Sequence, residues 1–193
     1  MRAPPDITTE RLRLTILPPD EARRLLTYAV ENDAHLAPWE PPRPEGYFTE
    51  AYWRRRLTQN LDEHARDRSL RLTILPRGEP DAPILGHVNF NSFIRGAFQA
   101  CTLGYSMDHR WEGRGLMREA LEGAIAHLFG PLAMHRVMAN YIPGNERSGR
   151  LLRRLGFVVE GYARDYLFIG GAWRDHVLTA LTNPAPLPRP AGF

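Results

Sequence analysis

The chain has 193 residues, of which 43% are hydrophobic, and it carries a formal net charge of +3 at pH 7. This length predicts one domain with a sizeable core, and the small net charge argues against a nucleic-acid-binding protein. No apolar run approaches the roughly 20 residues of a membrane helix, and the first residues lack the apolar segment of a signal peptide, so we expect a cytoplasmic protein without a membrane partner.

The residue inventory narrows the chemistry further. Cys101 is the single cysteine, which excludes an internal disulfide and a cysteine-based metal cluster, so no metal is expected. All 25 basic residues are arginine, so the chain contains no lysine side chain.

The periodicity of apolar residues predicts a mixed α/β domain built on a single sheet. Strands are predicted at residues 11–16, 70–75, 84–93, 97–107, 136–141, 157–159, 166–169 and 173–181. Helices are predicted at residues 20–30, 49–64, 116–129 and 145–156, with Asp20 as the first N-cap. Residues 31–47 contain four prolines and predict a long loop, which in a compact domain is more often functional than idle. We expect one domain over residues 1–182 and an irregular Pro-rich tail over residues 183–193.

A glycine-bearing turn, RWEGRG at residues 110–115, follows the fourth predicted strand and precedes the helix at 116–129. Backbone N–H groups and the helix dipole favour an anion at such a helix start, and glycine allows close backbone approach. The turn lacks the third glycine of a dinucleotide fingerprint and the Gly-Lys-Ser/Thr of a P-loop. It indicates a site for a phosphorylated cofactor, the alternative being an ordinary strand-to-helix turn.

The turn, read as Arg-x-x-Gly-x-Gly, resembles the pyrophosphate loop of the GCN5-related N-acetyltransferase (GNAT) superfamily. The segment NERS at residues 145–148, followed by LGF at 155–157, resembles a second motif of that superfamily at the expected separation. Further segments resemble the RimJ-type ribosomal-protein alanine N-acetyltransferases: APWEP at 37–41, LGYS at 103–106, MANY at 138–141 and WRDHVLTAL at 173–181. The likeness runs from about residue 9 to 182. It implies a mostly antiparallel sheet with flanking helices and acetyl-CoA bound at a splay between central strands.

The resemblance also implies which residues hold the cosubstrate. The backbone N–H groups of Gly113, Arg114, Gly115 and Leu116 would bind the pyrophosphate, with Arg110 as a further contact. In the preceding strand, Leu103, Gly104 and Tyr105 would pair with the pantetheine arm, and a free N–H there would hold the thioester oxygen, which gains negative charge in the transition state. The alternative is a plain central strand.

Ser148 and Tyr105 are candidates for the chemistry, and Asn145 is a further candidate contact of the cosubstrate. Asn145 would bond the pantetheine arm, although asparagine is also a favoured helix N-cap and the two roles are compatible. Ser148 would lie near the CoA sulfur and donate a hydrogen bond or relay a proton to the leaving thiolate; its alternative role is bonding the helix start. Tyr105 would organise water.

The general base is left open. The usual carboxylate of the superfamily is here Asn140, which cannot accept a proton. Glu160 is our first candidate, and the others are Asp165, Asp175 and His176, acting through water. An α-amine has a pKa near 8, so roughly a tenth is already neutral at pH 7 and a strong base is less necessary than for lysine.

The acceptor is expected to be the N-terminal amine of a ribosomal protein, most simply of the small subunit. Trp39 and Glu40, in a locally acidic and aromatic loop, together with Asn140 and Tyr141, are the predicted acceptor contacts; on charge alone the loop is equally well a solvated one. Two other readings stay open: a small-molecule amine as acceptor, or a ribosome-assembly factor that binds CoA and touches ribosomal particles through its arginine clusters. The sequence leaves monomer and homodimer equally open.

Overall fold

The computed structural model describes residues 3–79 and 81–185. One eight-stranded sheet runs through the molecule in the spatial order β1-β2-β3-β4-β5-β6-β8-β7. The strands are β1 (Asp6–Thr8), β2 (Leu12–Thr15), β3 (Leu70–Pro76), β4 (Gly86–Ile94), β5 (Ala100–Met107), β6 (Arg136–Met138), β7 (Val158–Ile169) and β8 (Ala172–Thr182). Every neighbouring pair is antiparallel except β5 and β6, which are parallel. The predicted mixed, mostly antiparallel sheet is confirmed.

In the described part of the chain, four α-helices cover the two faces of the sheet: α1 (Ala22–Leu36), α2 (Glu50–Ala65), α3 (Leu116–Phe129) and α4 (Glu146–Arg154). The apolar stripe of α3 packs with α4 residue Leu152 against the β4 side chains Val88 and Phe90. Residues of α1 and α2 form a second cluster on the other face, around Leu75 of β3. The sheet therefore separates an α3/α4 face from an α1/α2 face.

The central sheet opens where β6 leaves β5. The parallel pairing extends only from Ala100 to Thr102, opposite residues 136–138. Beyond that point Tyr141 bridges to Val177 of β8, so the chain after β6 follows β8 and not β5. Among the described strands, residues 103–107 of β5 thus pair only with β4, and the gap on their other side is the splay.

The first helix differs from the sequence-based prediction at both ends. Asp20 is not its N-cap, because a 3-10 turn covers Pro19–Glu21 and α1 begins at Ala22. The helix also continues to Leu36, six residues into the predicted loop, because residues 31–36 contain no proline and place Asn32 and Leu36 in the interior. The prolines that shape the loop start only at Pro38.

The hairpin at the far edge also differs from the prediction. The predicted strands at 157–159 and 166–169 are one strand, β7, whose pairing with β8 shifts register between Val159 and Gly161 and again between Ala163 and Leu167. The short strand β1 was not predicted, since three residues carry too little periodicity. Residues 186–193 of the predicted tail lie outside the described residues. Within the described chain, no helix is long and apolar enough to cross a membrane.

Candidate active site

The glycine loop sits at the N-terminus of α3, as the sequence predicts. Gly113 and Gly115 have φ values of 75° and 76°, which side-chain-bearing residues rarely adopt, and Gly115 is the N-cap of α3. An added Cβ at Gly113 would meet nothing within 4 Å, so the space above the loop is open. With no side chain capping them, the first N–H groups of the 14-residue α3 are available to an anion.

Ion pairs brace this loop from outside. Arg11 contacts Glu119 of α3 at 2.6 Å and donates to the backbone oxygen of Arg114 at 3.1 Å. Glu112 accepts from Arg147 of α4 at 2.5 Å and lies 3.2 Å from the His35 imidazole. These contacts tie the loop to α1, α3 and α4 without using the backbone N–H groups of residues 113–116.

The guanidinium of Arg110 is already paired with carboxylates and is not free to bind an anion. Its guanidinium bonds the Asp108 carboxylate and also reaches Glu31 of α1 at 2.6 Å. Asp108 is buried, accepts from the Arg110 backbone N–H at 2.8 Å and from Asn32, and these bonds hold its pKa down at about 2. Arg110 is thus committed to a carboxylate cluster, whereas Arg114 stacks over the Trp111 ring and forms no ion pair with the other described residues.

Tyr105 and Ser148 meet at the splay. The Tyr105 hydroxyl and the Ser148 Oγ are 2.6 Å apart, which joins β5 to the first turn of α4. Burial raises the pKa of Tyr105 to about 12, so the phenol stays protonated at physiological pH. Asn145 is the N-cap of α4 and accepts the Ser148 backbone N–H at 3.1 Å, which holds the serine in place.

The residues after β6 lie beside this pair. The Tyr141 ring packs so closely on α4 that an added Cβ at Gly149 would come within 2.9 Å of it. Asn140 accepts from the Thr179 backbone N–H at 3.3 Å and donates to the Tyr166 hydroxyl at 3.1 Å. The amide oxygen of Asn140 is therefore bonded to β8 and its amide nitrogen to β7.

The candidate bases form no hydrogen bond with Tyr105 or Ser148. Glu160 pairs with Arg136 at the start of β6, the end opposite to the splay. Asp175 accepts from the Tyr162 hydroxyl and the Asp165 backbone, and the ring of His176 bonds the Arg174 carbonyl oxygen. Among the described residues, the recorded hydrogen bonds of Tyr105 and Ser148 include no carboxylate or imidazole.

The predicted acceptor loop is held by Arg43. Its guanidinium pairs with Glu40 and with Asp33 of α1 and lies 4.7 Å from the centre of the Tyr47 ring. Trp39 is 42% exposed. The acidic loop thus carries an internal cation, and Trp39 and Glu45 are among its exposed residues.

Sequence reasoning missed the part of the site on the α1/α2 face. Strand alternation turns Leu103, Tyr105 and Met107 toward α3 and α4, and turns Gly104 and Ser106 the other way. An added Cβ at Gly104 would meet nothing within 4 Å, so the sheet is open there. Two residues on, Ser106 bonds the Tyr28 hydroxyl of α1 at 3.1 Å. The sequence does carry a signal for this second face: side chains alternate along the predicted strand LGYS at residues 103–106, which places Gly104 and Ser106 on one face.

Comparison with known proteins bears on this arrangement. Residues 11–158 match the family model described as an acetyltransferase (GNAT) domain. The chain belongs to the GNAT acetyltransferase family. It is 46% identical over 178 residues to the [ribosomal protein uS5]-alanine N-acetyltransferase of Escherichia coli, covering 92% of this chain and 91% of the relative.

Solved structures of GNAT proteins agree with this result. The ribosomal-protein-S5-alanine acetyltransferase of Vibrio fischeri superposes with a TM-score of 0.89 at 36% identity, covering 95% of this chain and all of the other. RimJ of Mycobacterium smegmatis, in complex with CoA-disulfide, gives a TM-score of 0.82 at 26% identity, covering 93% of this chain and 86% of the other.

As a GNAT protein, the chain is an acetyl-CoA-dependent N-acetyltransferase. The open glycine loop at the start of α3 suits the pyrophosphate of this cosubstrate, and the splay beside Tyr105 and Ser148 leaves room for its extended arm. The described residues contain no group of three or more histidine, cysteine or acidic side chains placed to hold a metal ion.

Proposed function

We propose that this GNAT protein acetylates the N-terminal α-amine of a ribosomal protein that begins with alanine, most simply a protein of the small subunit. The observation that carries the proposal is the 46% identity, over nearly the full length of both chains, to an enzyme named for that reaction on uS5. Such an acceptor places the protein in the cytoplasm, where ribosomal proteins are made.

In the proposed reaction the amine attacks the thioester directly in a ternary complex. The amine nitrogen forms a bond to the acetyl carbon, the carbon–sulfur bond then breaks, and one proton from the amine nitrogen is transferred to the leaving thiolate, which gives the amide and free CoA. Cys101 is buried, and burial raises its pKa to about 12, which supports direct transfer over an acetyl-cysteine.

The glycine loop is proposed to bind the pyrophosphate through backbone N–H groups of residues 113–116, with Arg114 adding charge. Arg110 then serves a positioning role, because the Asp108 and Glu31 carboxylates already occupy its guanidinium. The open side of β5 from Leu103 to Tyr105 is proposed to pair with the pantetheine arm and to hold the thioester oxygen.

Ser148 is proposed to donate a hydrogen bond to the departing sulfur, and Tyr105 to donate in turn to the Ser148 oxygen across their 2.6 Å contact. Two hydroxyls in series stabilise the thiolate without a strongly acidic group. Asn145 keeps its capping role and thereby orients the serine. We no longer assign Glu160 to catalysis, because its ion pair with Arg136 holds it at the other end of β6.

The acceptor is proposed to approach from the α1/α2 face, where Gly104 leaves β5 open. Trp39 and Glu40 border this approach from the loop after α1, and Tyr141 borders the splay. Asn140 supports β8 and β7 and is not proposed as a direct contact.

The test compares three kinds of acceptor with the purified protein and acetyl-CoA, reading CoA release and intact mass. The acceptors are an alanine-initiated ribosomal-protein peptide, the same peptide with a blocked α-amine, and a panel of small amines. We expect one acetyl group on the free peptide only. Acetylation of a small amine with none on the peptide would keep the family and refute the ribosomal acceptor.

A further inference from the structure

A cavity on the α1/α2 face of the sheet has an uneven distribution of charge. It measures about 150 Å³, which is far more than one water molecule needs. Its lining crosses three strands, from Ser106 of β5 through Asn89 of β4 to Arg71 of β3, and α1 and α2 contribute Tyr28 and Arg56. The cavity therefore starts at the strand that borders the splay and runs across the sheet.

The end of the cavity at β3 has an excess of positive charge. Arg56 and Arg71 line it, and Glu63 is the carboxylate beside them. The Arg71 Nε is 3.6 Å from the Glu63 carboxylate, which is too long for a hydrogen bond. Glu63 already accepts from Ser69 at 2.7 Å and from Gln59 at 2.6 Å. Among the described residues Arg56 forms no ion pair and donates only to the Gln59 amide oxygen, so one carboxylate faces two guanidinium groups.

The pKa of Arg71 reflects the same imbalance. Burial lowers the pKa of this guanidinium, the charge of Arg56 lowers it further, and Glu63 opposes the shift only in part. An anion beside the two guanidinium groups would reduce their repulsion. A carboxylate fits this position, because arginine binds carboxylates through paired N–H groups.

The end of the cavity at β5 has the opposite balance. Glu40 lies there, since its carboxylate adds to the effect of burial in raising the pKa of Tyr28, whose hydroxyl bonds Ser106 at 3.1 Å. Glu40 and Asp33 share the single guanidinium of Arg43. A matching occupant therefore has a cationic end at β5, beside the splay, and an anionic end at β3. A polypeptide with a free amino end and an acidic side chain further along has this arrangement.

The strand register gives the distance between the two ends. Gly104 of β5 pairs with Asn89 of β4, and Asn89 pairs with Arg71 of β3, so the three residues lie in one row on the same face. Neighbouring strands are about 4.8 Å apart, which places the Arg71 backbone about 10 Å from Gly104. An extended polypeptide covers about 10 Å in three residues. A chain whose first residue lies at the splay beside Gly104 can therefore bring a side chain of its second to fourth residue to Arg71.

We propose that the β3 end of this cavity binds an acidic side chain, aspartate or glutamate, at the second, third or fourth residue of the acceptor polypeptide, through Arg56 and Arg71. The inference rests on the proposed function, since it takes the acceptor to be a polypeptide α-amine. It adds a determinant of specificity beyond the first residue: a carboxylate at a fixed distance from the reacting amine.

The test moves one glutamate along an alanine-initiated, C-terminally amidated peptide that is otherwise uncharged, from the second to the sixth residue. Each peptide is compared with its partner that carries glutamine at the same position, and kcat and KM are measured by CoA release and intact mass. We expect Glu to exceed Gln in kcat/KM by about tenfold at one or more of residues two to four, and by less than about twofold at residues five and six. The gain should lie in KM, because the carboxylate is remote from the reacting atoms.

Charge-removing variants assign the preference to the cavity. R71Q and R56Q are each expected to reduce the Glu-to-Gln ratio to about threefold or less, whereas R71K keeps the charge and should keep part of the preference. R55Q is the matched control, because Arg55 precedes Arg56 in α2 and is exposed but does not line the cavity. It changes the net charge equally and should leave the ratio unchanged. Thermal melting shows whether each variant is folded, and R56Q serves if R71Q is not.

The outcomes separate this inference from the function it rests on. Equal rates for the Glu and Gln peptides at residues two to four would overturn the inference and leave N-terminal acetylation intact. A preference that survives in both R71Q and R56Q, or that is lost equally in R55Q, would also overturn it. If no alanine-initiated peptide is acetylated while a small amine is, the proposed function fails and this inference fails with it.

Discussion

At the residue scale, the pair of hydroxyls on Tyr105 and Ser148 is the chemical feature that the fold brings together. The two residues are 43 positions apart in the chain and 2.6 Å apart in space. Their geometry suits stabilisation of a leaving thiolate better than deprotonation of an amine, since Tyr105 has a pKa of about 12 and no recorded basic partner among the described residues. Two predictions follow from this pair.

Replacing Ser148 by alanine should lower kcat by about tenfold to a hundredfold and leave the KM for acetyl-CoA nearly unchanged. A thiolate is a tolerable leaving group, so turnover slows without stopping. The Asn145 cap survives in S148A because it uses the serine backbone N–H, and an unchanged melting temperature would verify that α4 is intact. A rate equal to that of the unaltered protein would remove Ser148 from the chemistry.

The pH dependence should follow the acceptor and not Tyr105. An α-amine with a pKa near 8 becomes neutral as pH rises, so kcat/KM should increase about tenfold between pH 6 and pH 7 and level off above pH 8. The pKa of Tyr105, raised by burial, lies far above this window. Y105F should therefore reduce the rate and keep the shape of the profile; a profile whose midpoint moves in Y105F would make Tyr105 a titrating group in the reaction.

At the scale of elements, the glycine loop and α3 form the proposed anion site. The expected effect of G115A is a KM for acetyl-CoA about tenfold higher, because a side chain at φ 76° strains the N-cap and displaces the first N–H groups of α3. G78A is the matched control, since Gly78 has a φ of 79° and open space around it but lies in the turn after β3. Equal effects of both variants on KM would show that strain alone, and not the anion site, is being measured.

The cluster around Asp108 ties α1 to the strand end before the loop. D108N should lower the free energy of unfolding by about 2 kcal/mol at pH 7, because it replaces a charged acceptor of several buried bonds. The pKa of Asp108 is about 2 in the folded protein against 3.8 for the free side chain. Its contribution is therefore complete above about pH 4 and is lost as pH falls toward 2. Chemical denaturation of both proteins at pH 7 and pH 3 measures the difference, which should shrink at the lower pH; a constant difference would contradict the assignment.

The elements also show where sequence reasoning succeeds. Helix α3 is predicted residue for residue, because its apolar stripe is complete and the glycines mark its start. The loop and the N-cap Asn145 follow from local backbone chemistry in the same way. The partners of Arg110 and Glu160 could not be predicted, since Glu31 and Arg136 reach them only through the tertiary fold. The cavity between α1, α2 and strands β3, β4 and β5 is likewise formed by five elements, none of which carries a local signal for it.

At the scale of the whole molecule, the two faces of the sheet serve different reactants in the proposed reaction. In the proposed reaction the cosubstrate binds at the glycine loop, α3 and α4, and the acceptor approaches past α1, α2 and the loop between them. The two faces of the sheet are connected at the splay beyond Thr102, next to Gly104, which has no side chain and no close neighbour. Direct transfer through the sheet is consistent with this division, because each reactant has its own face.

The most direct test of the account removes the gene from its native host and measures the intact masses of all ribosomal proteins. The account predicts that one alanine-initiated protein of the small subunit becomes lighter by one acetyl group, and that its mass is restored by the unaltered gene. Every other ribosomal protein should keep its mass. If no ribosomal protein changes mass, while the purified protein still transfers acetyl groups to small amines, the acceptor proposed here is wrong and the protein is a GNAT enzyme with another substrate.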